Sequence, residues 1–225
     1  MGKRIIHEGI IMNIVDISQK RYTTKHYDPT KKIPADKIEQ LLTVLRNSPS
    51  SVNSQPWHFY VIDNDEAKNK ILPAILEFNQ PRVTGASHTI VFCIKTPLDD
   101  AHLVNLLNQE DKDGRYPSAD LKQAQDQGRR HFVKLNSATI ESQQCWESKQ
   151  AYLALGQLLF AAATIGIDST AIEGYDAQKM DDILDLKSKG LKSIVVATLG
   201  YRAENDGNAH RPKSRLPKEQ LFTFL

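Results

Sequence analysis

The sequence of 225 residues predicts an α+β fold in which helices pack on a mixed central sheet of four to five strands. Predicted helices and strands do not alternate strictly, so the order typical of a parallel, doubly wound sheet is missing. Hydrophobic residues make up 40% of the chain, which is enough for a single large core. No repeat, linker or low-complexity tract divides the chain. We therefore expect one domain over residues 12–225 and treat residues 1–11 as an N-terminal extension or a cloning remnant.

The first half of the chain is predicted to contain three helices and two strands. Apolar residues recur at helical spacing in three segments, which are Ile14–Arg21, Pro34–Asn47 and Glu66–Phe78. Pro73 interrupts the third segment and is expected to weaken or kink its helix. The two runs typical of strands are the β-branched and aromatic His58–Ile62 and the almost continuously apolar His88–Lys95.

The second half is predicted to contain three longer helices, a short helix and two further strands. The longer helices are expected at Asp99–Gln109, Ala119–Leu135 and Gln144–Ile165. Gly166 is placed to end the last of them. Strands are expected at Ser169–Ile172 and Ser193–Gly200, with the short helix after Asp176 between them. A basic loop and a short apolar tail, Leu221–Leu225, follow the last strand.

Charge, cysteine content and motifs exclude several classes of function. The 29 Lys+Arg and 27 Asp+Glu residues leave a net charge of +2, too little for a dedicated nucleic-acid-binding surface. Only two cysteines occur and no two histidines show ligand spacing on a helix, so neither a disulfide scaffold nor a metal site is expected. GxGxxG, P-loop, GxSxG and HExxH motifs are absent. The longest apolar stretch is shorter than the roughly 20 residues of a membrane span, and no signal peptide is recognisable. We expect a cytoplasmic protein that contacts neither nucleic acid nor membrane.

Four polar clusters lie beside the ends of predicted elements, and they are Arg21–Lys25, Ser50–Trp57, Ile172–Tyr175 and Arg211–Pro217. The first and last offer cations suited to a phosphate. The second offers hydroxyls and amides suited to a polyol chain, and the glycine of the third lets a backbone N–H approach a ligand closely. Taken singly, each cluster is at least as consistent with a solvated turn at the end of an element.

Taken together, the strings KRYTTKHYD, NSPSSVNSQPWHF, IEGYD and KSRLP resemble, in their order and spacing, the FMN-dependent nitroreductase family. The similarity runs from Met12 to the C-terminus and is greatest to the branch of bacterial oxygen-insensitive NAD(P)H nitroreductases and dihydropteridine reductases. It implies a mainly antiparallel sheet and a homodimer with FMN sites at the subunit interface. It also implies that the two subunits exchange a C-terminal strand.

The resemblance implies that two groups of residues bind the phosphate and ribityl chain of FMN. The residues that bind the phosphate in the family correspond here to Arg21, Thr23, Lys213 and Arg215. Several cations suit a phosphate dianion. Tyr22, in the same set, stands where near relatives carry His. The residues that reach the FMN from the partner subunit in the family correspond here to Ser50, Ser51 and Asn53. Gln55, in the same string, is also expected to bind the cofactor.

A further set is implied to surround the isoalloxazine ring. Lys25 and Arg82 match basic residues at its pyrimidine edge, where cations favour the anionic reduced flavin. Asn79 matches an amide at the same edge, and the family more often has Lys at the position of Arg82. Glu173 and Gly174 match residues whose backbone amides face N5 and O4 of the flavin. No side chain is then expected to act as a catalytic acid or base.

The substrate channel is implied to be lined by Phe78, Phe132 and Gln150, and Val52 stands in the substrate pocket where near relatives often have Thr. The implied reaction is a ping-pong cycle. NADH or NADPH reduces the flavin by hydride transfer and leaves, after which a nitroaromatic, quinone or pteridine takes two electrons. Two alternatives stay open, which are a flavin reductase that releases reduced FMN and a flavin-binding protein without turnover.

Overall fold

Four antiparallel strands form the central sheet of the computed structural model, which describes residues 13–225. The predicted N-terminal extension at residues 1–11 lies outside the described residues. The spatial order of the strands is β1-β2-β4-β3, and their bounds are Trp57–Ile62 for β1, His88–Lys95 for β2, Asp168–Ile172 for β3 and Leu191–Gly200 for β4. A single parallel bridge, between Thr23 and Ser169, extends the sheet beyond β3. The α+β fold with its mainly antiparallel sheet is confirmed.

Helices surround this sheet. Their bounds are Ile14–Lys20 (α1), Ala35–Arg46 (α2), Asp65–Ile71 (α3), Gln80–Gly85 (α4), Asp100–Lys112 (α5), Ala119–Leu135 (α6), Ile140–Thr164 (α7), Ala177–Ile183 (α8) and Lys218–Leu221 (α9). Side-chain caps determine where several of them begin. Ser118 caps α6, and Thr139 forms a reciprocal capping box with Ser142 at the start of α7. Gly166, at φ 74°, follows the end of α7 as predicted.

The predicted single helix over Glu66–Phe78 is wrong. The helix α3 ends at Ile71, and the chain then forms short 3₁₀ turns at Leu72–Ala74 and Glu77–Asn79 before α4. Pro73 has no N–H to donate to the preceding turn and its ring clashes with the helical backbone, so the α-helix cannot continue through it. The break turns Phe78 and Asn79 out of a helical register.

The core lies on both faces of the sheet. On one face, α2 and α7 pack Leu41 and Leu158 against Phe92 of β2. On the other face, Val91 and Cys93 of β2 pack with residues of α3, α8 and the loop before β4. Because β2 is covered on both sides, it reads as a continuous apolar run in the sequence. Among the helices of residues 13–225, none combines the length and apolarity needed to cross a membrane.

The C-terminal tail leaves this core. Phe222 has an extended backbone, and residues 222–225 form no strand with the described part of their own chain. Its apolar side chains face solvent in the single chain, and Phe224 is 85% exposed. The exchange of a C-terminal strand between subunits stays a prediction.

An acidic residue occupies a core position of α7. Glu147 is fully buried, and neither of its carboxyl oxygens has a hydrogen-bond partner among the described residues. Burial raises the pKa of Glu147 to about 8, and the positive charge of Lys95 offsets this only in part. The folded state therefore keeps a proton on Glu147 at neutral pH, whereas the unfolded state has released it.

Glu147 is expected to make the protein less stable as the pH rises. Its contribution to the free energy of unfolding is largest below the ordinary pKa of 4.5 and falls until the pH passes the folded-state pKa of about 8. Glu147→Gln removes this titration, so the variant should gain stability over the wild type between about pH 5 and pH 9. Urea unfolding at several pH values measures the difference. The exposed Glu39→Gln is the control, and a pH-independent difference for Glu147→Gln would contradict the expectation.

Candidate functional site

A cleft of about 630 Å³ lies between the end of α1 and the loop that follows β4. It brings together two of the polar clusters predicted from the sequence, although they lie near opposite ends of the chain. The first cluster and the residue before it contribute Lys20–Thr23, and the last contributes Arg211–Arg215. Arg202, which follows β4 and stacks its guanidinium over the Tyr22 ring at 5.2 Å, also lines the cleft.

The two clusters are joined by Lys213. Its Nζ donates to the carbonyl oxygen of Ser18 at 2.5 Å and also to that of Arg21, 192 positions away in sequence. These two carbonyls belong to the last turn and the C-terminal cap of α1, where a cation is favourable. The interaction carries the terminal loop, with Arg215, to the cleft.

Arg21, Lys213 and Arg215 repel one another in this cleft. Burial lowers the pKa of Arg21 and of Lys213, and the charge of Arg215 lowers both further. Within residues 13–225, none of the three forms an ion pair with a carboxylate. A cluster of cations that lacks its own counter-charge is suited to bind an anion, and the guanidinium groups match the geometry of a phosphate.

Two residues that the sequence analysis missed hold the first cluster in place. Asp206 is fully buried and accepts hydrogen bonds from the Tyr22 hydroxyl at 3.1 Å and from the Lys25 backbone N–H at 3.2 Å. Asn208 donates its Nδ2 to the Thr23 carbonyl at 2.7 Å. The string Asn-Asp-Gly-Asn is a turn signal, and Asp206 does cap the short helix Gly207–His210. Its contact with the first cluster, however, has no local signal.

A second polar group forms beside the broken helix. Asn79 is buried, donates its Nδ2 to the Gly174 carbonyl at 2.9 Å and accepts from the Arg82 guanidinium through Oδ1. Burial lowers the pKa of Lys25, and the nearby charges of Arg82 and Arg211 lower it further. The structure thus places Lys25, Asn79, Arg82 and Gly174 in one neighbourhood.

Gly174 is required by the close approach of this group. A Cβ at position 174 would lie 2.5 Å from Nδ2 of Asn79 and 3.3 Å from Cζ of Phe78. The preceding residue, Glu173, accepts a hydrogen bond from the Tyr152 hydroxyl of α7 at 2.6 Å. Burial and the charge of Glu173 both raise the pKa of Tyr152. The turn after β3 is therefore hydrogen-bonded to the 3₁₀ turn before α4 on one side and to α7 on the other.

The loop Ser50–Gln55 is in a strained conformation. The φ angles of Val52, Asn53 and Gln55 are 49°, 52° and 42°, in the left-handed region that few non-glycine residues adopt. Each such residue costs about 1–3 kcal/mol, and the cost is greatest for a β-branched residue such as Val52. Strain of this kind persists only where the surroundings enforce it, and it is frequent at functional sites.

This loop does not share the cleft of the cations. Asn53 and Gln55 instead line a separate cavity of about 960 Å³, together with residues of α5. Ser50 accepts the Gln55 N–H at 3.0 Å within the loop. The Ser51 N–H is bonded at 2.8 Å to the side chain of Gln150, which is buried in α7. Within one chain, the predicted FMN residues therefore fall into two separate sites.

Two aromatic residues predicted for the substrate channel are accessible. Phe78 is 66% exposed beside Gly174, and Phe132 on α6 is 49% exposed. Large apolar side chains with this exposure are suited to contact flat ligands. Gln150 differs from them, because its side chain is engaged with Ser51 and with the Trp146 carbonyl. Among the described residues, no group of three or more His, Cys, Asp or Glu side chains is placed to hold a metal ion.

Comparison with known proteins relates this architecture to one family. A model described as the nitroreductase family matches residues 19–201. The oxygen-insensitive NAD(P)H nitroreductase of Salmonella typhimurium is 42% identical over 215 residues, which are 94% of this chain and 99% of the relative. The major NAD(P)H-flavin oxidoreductase of Aliivibrio fischeri is 38% identical over 225 residues, covering 94% of this chain and 98% of the relative.

Solved structures agree with the fold. A protein from Exiguobacterium sibiricum, solved in complex with FMN, aligns with a TM-score of 0.83 at 22% identity, over 96% of this chain and 99% of that chain. The enone reductase CLA-ER aligns with a TM-score of 0.80 at 24% identity, over 95% of this chain and 98% of that chain. The match of the family model over most of the chain and the identity to full-length relatives confirm the resemblance seen in the four strings, and the chain belongs to the nitroreductase family.

Proposed function

We propose that this chain is an FMN-dependent oxidoreductase that is reduced by NADH or NADPH and passes two electrons to a nitroaromatic, quinone or pteridine. The observation that carries the proposal is the cleft in which Arg21, Lys213 and Arg215 meet without a carboxylate. Such a donor set suits the phosphate dianion of FMN. Relatives named NAD(P)H nitroreductase and NAD(P)H-flavin oxidoreductase, at 42% and 38% identity, support the same assignment.

The neighbouring residues also suit FMN. Arg21, Thr23, Lys213 and Arg215 would hold its phosphate, with Tyr22 beside them. Lys25 and Arg82 would stabilise negative charge at the pyrimidine edge of the ring, and Asn79, Glu173 and Gly174 would present amides to the same ring. When bound, FMN supplies the two-electron chemistry that the side chains of this site lack.

We propose further that two chains complete each site. Asn53 and Gln55 line a different cavity from the cation cleft of their own chain, which supports a role for their loop, with Ser50 and Ser51, at the cleft of a partner. An apolar groove on the outer face of α7, lined by Leu153, Phe160 and Val44, is a surface that a second copy would cover. The exposed tail with Phe222 and Phe224 would pair with the partner, whose strand β1 is an open sheet edge.

We propose that the acceptor enters beside the exposed Phe78 and Phe132, and that Val52 and Gln150 contribute to its pocket. Flat aromatic side chains with high exposure accept planar molecules of varied outline, which suits nitroaromatics, quinones and pteridines. A flavin reductase that releases reduced FMN is the second candidate, favoured by the 38% identity to an enzyme named NAD(P)H-flavin oxidoreductase. We propose a cytoplasmic location, where NAD(P)H is available.

The first expected outcome concerns the cofactor and the electron donor. The purified protein should carry about one FMN per chain, and anaerobic NADH or NADPH should bleach its absorbance within seconds. Menadione or nitrofurazone should then restore the oxidised spectrum, and steady-state rates should show the parallel-line pattern of a ping-pong cycle.

Three results would redirect the proposal. A protein that neither retains nor regains FMN would contradict FMN dependence altogether. Flavin that no nicotinamide nucleotide bleaches would favour a binding protein without turnover. Oxidation of NADH that requires added free FMN, with menadione reduced only through that free FMN, would favour the flavin reductase.

The shared site can be tested by complementation between variants. Arg215→Ala should weaken FMN binding by about 1.5–3 kcal/mol, because a charge-assisted hydrogen bond is lost. Asn53→Ala should also weaken FMN binding, at the site whose cation cleft belongs to the other chain. After subunit exchange between the two variants, each mixed dimer holds one doubly altered and one intact site, so roughly a quarter of all sites should bind FMN tightly again. Titration of the apoprotein with FMN, followed by flavin fluorescence, counts these sites.

The matched control is a mixture of Arg215→Ala with Lys213→Ala. Both changes lie in the same cleft, so no mixed dimer contains an intact site and tight binding should not return. If the mixture of Arg215→Ala with Asn53→Ala also recovers no tight sites, the loop does not act across the interface.

A further inference from the structure

The strained conformation of the loop Ser50–Gln55 must be stabilised by residues outside the loop. Val52 and Asn53 both lie in the left-handed region, and a short loop of Ser and Asn residues has no core of its own. Contacts with neighbouring elements must supply the stabilisation. Three helices, α5, α6 and α7, provide them.

A buried ion pair lies at the centre of these contacts. Nη2 of Arg129 on α6 donates to Oε2 of Glu110 on α5 at 2.5 Å, and the two side chains are 3% and 7% exposed. Nε of the same guanidinium donates to the Val52 carbonyl at 3.0 Å. The residue with the most strained backbone is thus held directly by the ion pair.

The acidic partner reaches the next residue of the loop. Glu110 accepts from Nδ2 of Asn53 at 2.6 Å and also accepts from the Tyr116 hydroxyl. Burial alone would raise the pKa of Glu110, but the hydrogen bonds from Arg129, Tyr116 and Asn53 lower it below its ordinary value. The carboxylate therefore remains charged while it binds Asn53.

Weaker supports surround this centre. The Val52 side chain packs against an apolar cluster that includes Leu106 of α5, Val133 of α6 and Trp146 of α7. The His102 ring bonds the Ser54 carbonyl through Nε2 at 2.8 Å. These contacts limit where the loop can move. Among the described residues, Glu110 and Arg129 are the charged side chains that hydrogen-bond Asn53 and Val52, the two successive residues with positive φ.

We propose that Glu110 and Arg129 are positioning residues, which hold the loop Ser50–Gln55 in the strained conformation that presents Asn53 to FMN. The inference rests on the proposed FMN function. The planar guanidinium of Arg129 donates to the Val52 carbonyl and to the Glu110 carboxylate at the same time. The single ammonium group of a shorter lysine side chain cannot make both hydrogen bonds in these directions. Arg129→Lys therefore keeps the charge of the buried pair and loses the hold on Val52.

Hydrogen exchange and FMN titration test this role. In Arg129→Lys, the backbone amides of Ser51–Gln55 should exchange at least about 10-fold faster in the FMN-free protein, while those of β2 stay unchanged. The dissociation constant of FMN should rise about 10-fold, because the loop must be ordered on binding. A merely structural ion pair would lower the melting temperature without a local change in exchange at the loop.

The matched control is Arg130→Lys, on the next residue of α6. Arg130 also joins α6 to α5, through Asp100, and bonds Asp126 on its own helix, but it does not contact the loop. Its variant should leave the exchange of Ser51–Gln55 and the dissociation constant of FMN within about twofold of the wild type. Equal effects of the two variants, or no effect of Arg129→Lys, would overturn the proposal.

Tyr116→Phe keeps the test decisive if Arg129→Lys does not fold. This change removes one hydroxyl that donates to Glu110 at a partly exposed position. It should speed exchange at Ser51–Gln55 about two- to fivefold, and unchanged exchange would count against the proposal. Exchange is measured without FMN, so a wild-type protein that binds no FMN would contradict the proposed function and leave the result for the loop readable.

Discussion

The repulsion among Arg21, Lys213 and Arg215 is the constraint around which the site is arranged. Burial and nearby positive charge both disfavour the protonated state of Arg21 and of Lys213, so their pKa values are lowered. The fold offsets this cost with the carbonyl groups at the end of α1, which accept from Lys213. An anion that enters the cleft removes the repulsion, so the same cost becomes affinity for a phosphate.

A second unfavourable feature lies in the loop Ser50–Gln55, where the cost is backbone strain and not charge. The loop is short and exposed to a large cavity, yet it is held by the buried pair of Glu110 and Arg129 and by Gln150. In both the cleft and the loop, contacts from neighbouring helices hold polar groups in an arrangement that is unfavourable by itself. The packing of the core around α7 and the sheet offsets the unfavourable free energy of the cation repulsion and of the backbone strain.

Prediction from the sequence succeeded where local signals were strong. The bounds of α6 agree with the predicted Ala119–Leu135, because Ser118 caps a segment with clear helical periodicity. The segment Glu66–Phe78 failed because apolar spacing was weighed above Pro73, which ends the helix. In the site, Asp206, Asn208 and Tyr152 were missed because their partners are distant in the sequence. No period or motif marks a carboxylate that contacts a tyrosine 184 positions away.

The four polar clusters, their residue types and the family that their order resembles could all be recognised in the sequence alone. These properties are local, because each cluster consists of residues that are neighbours in the sequence. How the clusters are combined depends on the tertiary fold. It joined the first to the last through Lys213, placed Asn79 against Gly174 by breaking a helix, and left the loop of Asn53 at a separate cavity. Such combinations depend on packing and on hydrogen bonds between distant segments, which a single sequence does not reveal.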